Sequence, residues 1–242
     1  MDSVIRRAIA LPEVPVSAIG VTVSPLGRIL TAPGVYVPQS DSFLLAEAMR
    51  REGVREGTRV LDVCTGSGAL AVYAARLGAR VTAVDSTRRA VLTTRANALF
   101  ARRRITVRRG DLLSAVAGHC FDVVVCNPPY VPAPRPGVAQ FGAARAWDAG
   151  LGGRAVVDRI CAAIPDVLRP AGVLLMVHSG LCDTEATLGA LERSGMRAAI
   201  VDRTTIPFGP VLRERLDWLR RTGLVGLHDN HEELVVVRAE KR

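Results

Sequence analysis

The chain has 242 residues, of which 49% are hydrophobic and 23% charged, so it can bury the core of one α/β domain. No apolar run reaches the ~18 residues that a membrane span requires, and residues 1–12 have too short an apolar segment for a signal peptide. We therefore expect no membrane association.

The formal net charge is +9, a value that can indicate nucleic-acid binding. Lys241 is the only lysine among 32 basic residues, and this arginine bias is also typical of a GC-rich coding sequence. The densest arginine runs, at 102–104, 108–109 and 220–221, are dispersed along the chain, and no basic tail is present. Nucleic acid is therefore a less favoured partner than protein.

The five cysteines are odd in number, and none forms a Cys-x-x-Cys pair. Several of them fall in predicted strands or helices. This usage indicates reduced core thiols in a cytoplasmic protein and predicts no metal site. The cysteines are Cys64, Cys120, Cys126, Cys161 and Cys182.

Residues 1–40 are predicted to form an N-terminal extension, and residues 41–242 the main domain. Turn signals at 24–27 and 32–34 predict a short β-hairpin that pairs residues 21–23 with residues 28–30. Asp41 and Ser42 are predicted to cap a helix over residues 43–52.

From residue 59 onward, strand patterns alternate with helix patterns, which predicts a parallel sheet covered by helices on both faces. The fold class is therefore α/β, with a Rossmann-like, seven-stranded, mostly parallel sheet. The predicted strands are 59–63, 80–85, 105–109, 121–126, 173–178, 196–202 and 234–239. The predicted helices are 68–77, 87–100, 153–168, 183–194 and a short insertion helix at 214–221.

A glycine-containing loop follows the first sheet strand, where it can approach a ligand closely. Gly66-x-Gly68-x-x-Ala71 fits the dinucleotide fingerprint, which alone would indicate NAD. Asp62 argues against NAD, because a carboxylate beside the phosphate site repels a pyrophosphate. It suits a cationic ligand, and S-adenosylmethionine carries a sulfonium and an ammonium. Cys64 and Thr65 belong to the same predicted cofactor loop.

Two further acids follow the next two strands. Asp85, 19 residues after Gly66, occupies the position from which a carboxylate accepts both ribose hydroxyls, with Ser86 beside it. Asp111 could accept a hydrogen bond from the adenine amino group, with Leu112 against the ring. Any one of these acids could be a plain turn residue, but three at successive strand ends predict an S-adenosylmethionine site.

The fourth strand ends in Asn127-Pro128-Pro129-Tyr130, at the sheet edge where ligands bind in α/β folds. The Asn127 side chain and the Pro128 carbonyl are two acceptors, and neither proline offers an N–H. Together with the Tyr130 ring they suit a planar NH₂ group, whose nitrogen needs to be oriented before methylation. The plain alternative is a turn. We predict that Asn127, Pro128 and Tyr130 are catalytic.

Over roughly residues 28–240 the chain resembles the HemK-type protein-glutamine N5-methyltransferases, within the class I methyltransferases. Its later motifs resemble the short eukaryotic and archaeal branch, which lacks a separate N-terminal helical domain. The resemblance rests on residues 34–45, the glycine loop, Asp85, Asp111, Asn127-Pro128-Pro129-Tyr130, residues 147–154 and Asp158-Arg159.

The resemblance implies that Ser42 contacts the cofactor near its methionine end. It also implies a glutamine side chain of a translation release factor as methyl acceptor, and a small zinc-binding activator protein as a partner in this branch. Cys64 departs from the pattern, because it stands where the family has the first glycine of the loop. Residues 204–230 form a longer segment than expected and are interpreted as a substrate lid, an activator contact or a plain loop.

The Asn-Pro-Pro-Tyr motif does not separate a glutamine amide from the N6 amino group of adenine, because both are planar NH₂ groups. An adenine methyltransferase acting on DNA or RNA is therefore the main alternative, although no recognition domain is evident. A small-molecule N-methyltransferase and a non-catalytic partner subunit that keeps the fold are two further alternatives.

Overall fold

The computed structural model describes residues 20–139 and 142–242. The first described element is an antiparallel hairpin of β1 (Gly20–Ser24) and β2 (Gly27–Thr31), as predicted. Its turn buries Leu26, and β2 buries Ile29, so the hairpin packs into the core beside the main sheet. The boundary at residue 40 stays a prediction, and residues 1–19 of the extension lie outside the described residues.

Seven strands form the main sheet, in the order β5-β4-β3-β6-β7-β9-β8. All neighbouring strands from β5 to β7 are parallel, whereas β9 is antiparallel to both β7 and β8. This confirms the predicted seven-stranded, mostly parallel sheet. The strands are β3 (Arg59–Val63), β4 (Arg80–Asp85), β5 (Ile105–Arg109), β6 (Phe121–Cys126), β7 (Leu168–Ser179), β8 (Met196–Pro207) and β9 (His231–Lys241).

Helices cover both faces of the sheet and define two cores. Alternate residues of a strand point to opposite faces, so Val123 and Val125 join one core while Val124 and Cys126 join the other. The first core lies under α1 (Ser40–Arg51), α2 (Ala69–Arg76) and α3 (Arg88–Phe100). The second lies under α4 (Val157–Ala163) and α5 (Thr184–Arg193).

The predicted cap of the first helix is wrong. Helix α1 begins at Ser40, its N-cap is Gln39 without a side-chain cap, and Asp41 and Ser42 are buried inside its first turn. The Asp41 carboxylate accepts hydrogen bonds from tyrosine hydroxyls, as described below, instead of capping the helix. Nothing in the local sequence distinguishes the two roles, because Asp suits both.

The predicted helix 153–168 is too long. Helix α4 covers only Val157–Ala163, a 3₁₀ turn follows at Ile164–Val167, and Leu168 already belongs to β7. Pro165 lies within that turn, where it has no N–H with which to continue an α-helical ladder. Residues 169–172, between the predicted helix and the predicted strand, lie inside the span of β7, where the pairing with β6 changes register.

The last two strands are longer than predicted, because β8 and β9 pair from Met196↔Lys241 to Pro207↔His231. The segment between them is residues 208–230, which we call the cap. It contains α6 (Pro210–Glu214) and α7 (Leu216–Arg221), and the latter corresponds to the predicted insertion helix. Its small core of Phe208, Leu212, Leu219 and Val225 packs against Val131 and Leu181 at the carboxyl edge of the sheet.

All five cysteines are free. Cys126, Cys161 and Cys182 are buried and Cys64 is half-buried, in agreement with core thiols. Cys120 is exposed, so the prediction was wrong for that residue. It precedes β6 at the opposite end from Asn127, where the chain enters the sheet.

Candidate active site

The strands β5, β4, β3 and β6 are adjacent and parallel, so their carboxyl ends meet at one edge. The predicted cofactor residues lie in the last residues of these strands or in the segments that follow them, except Ser42, which reaches the edge from α1. This placement follows from the order of the strands, because β3 lies between β4 and β6. The site is built where α/β sheets bind ligands.

The loop after β3 turns sharply through left-handed backbone. Cys64 has φ of 60°, a conformation that glycine adopts without cost and other residues adopt at about 1–2 kcal/mol. The position therefore adopts a backbone conformation that favours glycine, although cysteine occupies it. At Gly68, with φ of 81°, a Cβ atom would lie 2.7 Å from Cγ2 of Thr94, so only glycine lets α3 pack against the loop.

Asp62 is buried beneath this loop. Its Oδ2 accepts from the Thr65 hydroxyl at 2.6 Å and from the Ala71 N–H at 3.0 Å. Its Oδ1 is buried without a hydrogen-bond partner in the described part of the chain. Burial raises the pKa of Asp62 to about 7, and these hydrogen bonds offset part of the rise. A buried oxygen without a partner fits a cationic ligand, which would favour the charged carboxylate.

Asp85, at the end of β4, holds the glycine loop in place. Its Oδ2 accepts from the Gly66 N–H at 3.1 Å, and its Oδ1 accepts from the Thr87 N–H at 2.9 Å and the Thr87 hydroxyl at 3.1 Å. Burial raises the pKa of Asp85, whereas these hydrogen bonds lower it in part. Each carboxylate oxygen can accept twice, so Oδ2 keeps capacity for a ligand hydroxyl. Ser86 beside it is exposed, and its hydroxyl accepts from Arg145 at 3.3 Å.

Asp111 and Leu112 differ from the other predicted cofactor residues. The Asp111 side chain is 62% exposed and pairs with Arg159 at 2.5 Å. Leu112 has φ of 49°, in the left-handed region, and packs against the second core. Arg159 is therefore a surface partner of Asp111 and competes with the predicted hydrogen bond to adenine. That predicted contact stays a prediction.

Asn127 is joined to the first turn of α1. Its Nδ2 lies 3.4 Å from the Ser42 hydroxyl, which itself donates to Asp41 Oδ1 at 3.2 Å. The Ser42 N–H also donates to Asp41 Oδ1, at 2.5 Å. The structure therefore brings Ser42 and Asn127 together across 85 residues of chain. Because the Asn127 amide nitrogen faces Ser42, its Oδ1 is left to accept a hydrogen bond from a ligand.

Two tyrosines converge on the same aspartate. The hydroxyls of Tyr36 and Tyr130 donate to Asp41 Oδ2 at 2.6 and 3.0 Å. Burial, followed by the charge of Asp41, raises the pKa of both phenols well above 10, so both remain protonated and keep donating. This double contact fixes the orientation of the Tyr130 ring. Asp41 and Tyr36 were not predicted as site residues, although both lie in the motif that carries the resemblance.

Glu232 completes a buried acidic group. It lies at the start of β9 and is 8% exposed, and its Oε2 has no hydrogen-bond partner in the described residues. Burial raises its pKa to about 7, a hydrogen bond from Ser179 lowers it, and the charge of Asp41 raises it further. No sequence signal pointed to Glu232, because it belongs to an ordinary strand start about 100 residues beyond the motif.

The segment after Tyr130 is held by the loop that contains Trp147 and Asp148. The Val131 N–H donates to the Trp147 carbonyl at 2.8 Å, and the Ala149 N–H donates to the Val131 carbonyl at 3.0 Å. The Cys182 thiol donates to the Tyr130 carbonyl at 3.0 Å. Pro128 itself is buried. These bonds give the proline-stiffened segment a fixed course.

The cap is tied to this same segment by Arg215. Its Nη1 donates to the Pro132 carbonyl at 2.9 Å and lies 2.7 Å from Asp148 Oδ1. The two side chains of this ion pair are only 19% and 15% exposed. The cap therefore lies beside the Asn-Pro-Pro-Tyr segment, and its contacts include the Arg215 guanidinium and the apolar cluster. This placement favours the lid interpretation over a plain loop.

A family model for the methyltransferase small domain matches residues 27–139. The chain is 30% identical over 177 residues to a protein of Methanocaldococcus jannaschii that is provisionally named as a protein N5-glutamine methyltransferase. That alignment covers 73% of this chain and 88% of the relative. The chain belongs to the HemK-type protein N5-glutamine methyltransferase family. It is accordingly a methyltransferase with S-adenosylmethionine as methyl donor, as predicted.

Bacterial family members are also similar. The release factor glutamine methyltransferases of Geobacter sulfurreducens and Rhodospirillum rubrum are 33% and 39% identical to the chain over 174 and 168 residues. These alignments cover 69% and 66% of this chain, which spans 60% and 51% of those two relatives. A solved structure of the Mtq2–Trm112 complex from E. cuniculi, which methylates the termination factor eRF1, matches with a TM-score of 0.60. It has 25% identity and covers 86% of this chain and 99% of its own.

Two structural features are absent from residues 20–139 and 142–242. No helix there has the length and apolar character needed to cross a membrane. No group of three or more His, Cys, Asp or Glu side chains is placed to hold a metal ion.

Proposed function

We propose that this methyltransferase acts on the side-chain amide nitrogen of a glutamine, and that a translation release factor carries that glutamine. The observation that carries the proposal is the link from Asn127 through Ser42 to Asp41, which also fixes Tyr130. An amide acceptor and an aromatic ring are thereby held beside the glycine loop and its buried acids.

The residues of the loop fit the methyl donor, which supplies an electrophilic methyl group on a sulfonium. The buried, unpartnered Oδ1 of Asp62 suits its ammonium group, and the left-handed turn at Gly66 and Gly68 lets backbone approach it. Asp85 is assigned to the ribose hydroxyls and Ser42 to the methionine end. The remaining proposed contacts are Cys64, Thr65, Ser86, Asp111, Leu112 and Asn127.

The catalytic residues act on the acceptor by positioning it. The Asn127 side-chain oxygen and the Pro128 carbonyl accept the two N–H bonds of the glutamine amide, and the Tyr130 ring stacks on its plane. Fixing a planar nitrogen in a near-attack position can supply ~7–11 kcal/mol of a barrier. No base is needed at the start, because the amide proton becomes acidic only when the new C–N bond forms. Both tyrosines stay protonated and serve as positioning groups.

The release factor assignment is supported by the names of the bacterial relatives and by the eRF1 substrate of the solved complex. That complex also pairs its methyltransferase with a second protein. We extend this arrangement to the chain and propose a small, zinc-binding activator subunit as a partner. The proposed release factor substrate acts in translation, which agrees with the predicted cytoplasmic location.

A transfer assay tests the acceptor. Labelled S-adenosylmethionine is incubated with the chain and with release factor, release factor whose acceptor glutamine is substituted, DNA or RNA. The proposal requires label in intact release factor only. Label in the glutamine-substituted factor, or in RNA or DNA adenine, would contradict it. The same assay with and without a co-expressed activator subunit tests the partner.

Asn127→Ala tests the assigned chemistry. We expect kcat to fall by about 100-fold or more, because an oriented hydrogen-bond partner of the reacting group is lost. The dissociation constant for S-adenosylmethionine, measured by calorimetry, should change far less. Asn230→Ala, an exposed asparagine in the cap, is the matched control and should leave kcat unchanged. A kcat within a few-fold of the parent would contradict the role of Asn127.

A further inference from the structure

A second concave site lies at the amino ends of the parallel strands, away from the catalytic edge. Arg59 and Arg80 begin β3 and β4, and α3 contributes Arg95. Arg103 and Arg104 come from the turn before β5. With His119 they line an open groove of about 830 Å³, which we call the arginine groove. Arginines that are dispersed in the sequence are thus collected in one place by the fold.

No acidic residue that the structure describes neutralises the charges of the arginine groove. None of its five arginines forms an ion pair with an acidic residue in the described ranges, and no acidic residue lines the groove. Arg95 donates to the Val107 carbonyl at 3.2 Å, and the Arg59 guanidinium lies 5.9 Å from the Phe121 ring centre. Asp122, which follows Phe121, is already engaged by Arg169 and by the Arg59 N–H. Five arginines that have no acidic partner within residues 20–139 and 142–242 therefore line one groove.

We propose that the arginine groove binds the phosphate backbone of RNA. A phosphodiester chain brings one fixed negative charge per nucleotide, and each phosphate offers two oxygens that match the fork of a guanidinium. An acidic peptide brings its carboxylates on flexible stems, and ordering each of these stems costs up to about 2 kcal/mol of side-chain entropy. Five arginines in one groove therefore favour the polyanion whose charges lie on its backbone at regular spacing, without flexible side chains to order.

The groove anchors RNA without reading its sequence. Arginine contacts to phosphates fix position and carry no base information. Apolar side chains between the arginines, among them Leu99 and Ile105, offer surface to sugars and base faces. The net charge of +9 adds long-range attraction for any polyanion.

RNA held in this groove is an anchor and not the methyl acceptor. Strands β3, β4 and β6 have five or six residues each, so the groove lies roughly 16–20 Å along the strands from the edge that carries Asn127. The proposal is therefore independent of which group is methylated. Measurements of RNA binding alone decide it.

The test measures the affinity of the intact chain for a fluorescein-labelled, 12-nucleotide single-stranded RNA by anisotropy at several salt concentrations. Five phosphate contacts predict a slope of about −3.5 for log affinity against log salt. Arg103→Gln/Arg104→Gln should weaken binding by about tenfold and reduce the slope to about −2.1. Both residues are exposed, so the variant is expected to fold. Arg193→Gln/Arg221→Gln removes the same charge from other exposed positions and should change affinity much less.

Three results would overturn the proposal. They are no binding of RNA by the parent chain, equal losses of affinity in both double variants, and displacement of RNA by polyglutamate as effective as by unlabelled RNA at equal charge. The last result would assign the groove to an acidic peptide. Arg80→Gln, a single exposed substitution on another element, must weaken binding in the same direction. Methyl transfer to release factor is measured in parallel and should be unchanged in all variants, which separates this test from that of the proposed function.

Discussion

The two oxygens of the Asp62 carboxylate have unequal surroundings, and the difference has consequences for the cofactor. One oxygen accepts two hydrogen bonds, and the other is buried without a partner. Burial raises the pKa of Asp62 to about 7, and the charge of Asp85 adds to the rise. Without a cation beside it, the group is therefore mostly neutral at pH 6 and half ionised at pH 7.

We expect the affinity for S-adenosylmethionine to rise about fivefold from pH 6 to pH 7, because only the ionised fraction of Asp62 binds a cation well. Calorimetric titration at the two pH values measures the change. Asp62→Asn should bind more weakly and lose most of this pH dependence. Asp217→Asn, an exposed residue of α7, is the control and should keep it. A pH-independent affinity in the parent chain would refute the assignment of the ammonium group to Asp62.

Cys64 occupies a glycine conformation, with φ of 60°. We expect Cys64→Val to destabilise the chain by about 1–3 kcal/mol more than Cys64→Gly, because a β-branched residue is strained in this region. Urea denaturation of the two variants gives the difference. Cys120→Val and Cys120→Gly form the control pair at an exposed cysteine that has no positive φ, and they should differ by much less. Equal stabilities of the Cys64 pair would mean that the strain is absent.

At the scale of elements, the sequence predicted the sheet more completely than the site. The buried strands are bounded by turn residues, so their number, their parallel direction and the residues at their carboxyl ends follow from local pattern. Asp41 and Glu232 were missed because their roles depend on contacts across the fold. Asp41 meets Tyr130 from 89 residues away, and Glu232 reaches the site only because β9 inserts between β7 and β8. No local pattern encodes either contact.

The cap was also predicted only in part, and the missed contacts can be tested. Its helix α7 was predicted, but its attachment through Arg215 to Asp148 and Pro132 was not. We expect the Arg215→Ala and Asp148→Asn substitutions to be coupled by about 1–3 kcal/mol in a double-mutant cycle of urea unfolding, because both side chains are largely buried. Arg221→Ala, an exposed arginine of α7, replaces Arg215→Ala in the control cycle and should show no coupling.

The Arg215→Ala variant of this double-mutant cycle also tests the function of the cap. If the cap is a lid over the acceptor, Arg215→Ala should lower kcat/KM for release factor while the dissociation constant for S-adenosylmethionine stays within about twofold. Equal effects on both quantities would indicate a general loss of structure. An additive cycle would show that the ion pair does not hold the cap in solution.

At the scale of the whole molecule, the parallel sheet separates two regions of opposite charge. Its carboxyl edge carries the buried acids Asp41, Asp62 and Glu232 and the half-buried Asp85, and its amino edge carries the arginines of the groove. Burying these carboxyl groups costs free energy, and carboxyl groups with perturbed pKa values are typical of functional sites. This arrangement makes the stability of the cofactor-free chain depend on pH.

Glu232 determines whether the stability of the cofactor-free chain rises or falls with pH. Its pKa is raised from 4.5 to about 7 by burial, so its stabilising contribution is fully present below pH 4.5 and is lost as the pH rises through 7. Between these values the folded chain holds a proton that the unfolded chain has released, and unfolding therefore becomes easier as the pH rises. Asp62, whose pKa is raised to about 7, acts in the same direction.

We therefore expect Glu232→Gln to reduce the loss of unfolding free energy between pH 5 and pH 8 by roughly 2–3 kcal/mol, because the glutamine cannot ionise. Urea denaturation of the cofactor-free chain at both pH values measures it. Glu233→Gln, whose residue is 41% exposed and paired with Arg203, is the adjacent control and should leave the pH difference unchanged. If Glu232→Gln retained the full loss, Glu232 would have to ionise as freely in the folded chain as in the unfolded one, and its burial would carry no charge penalty.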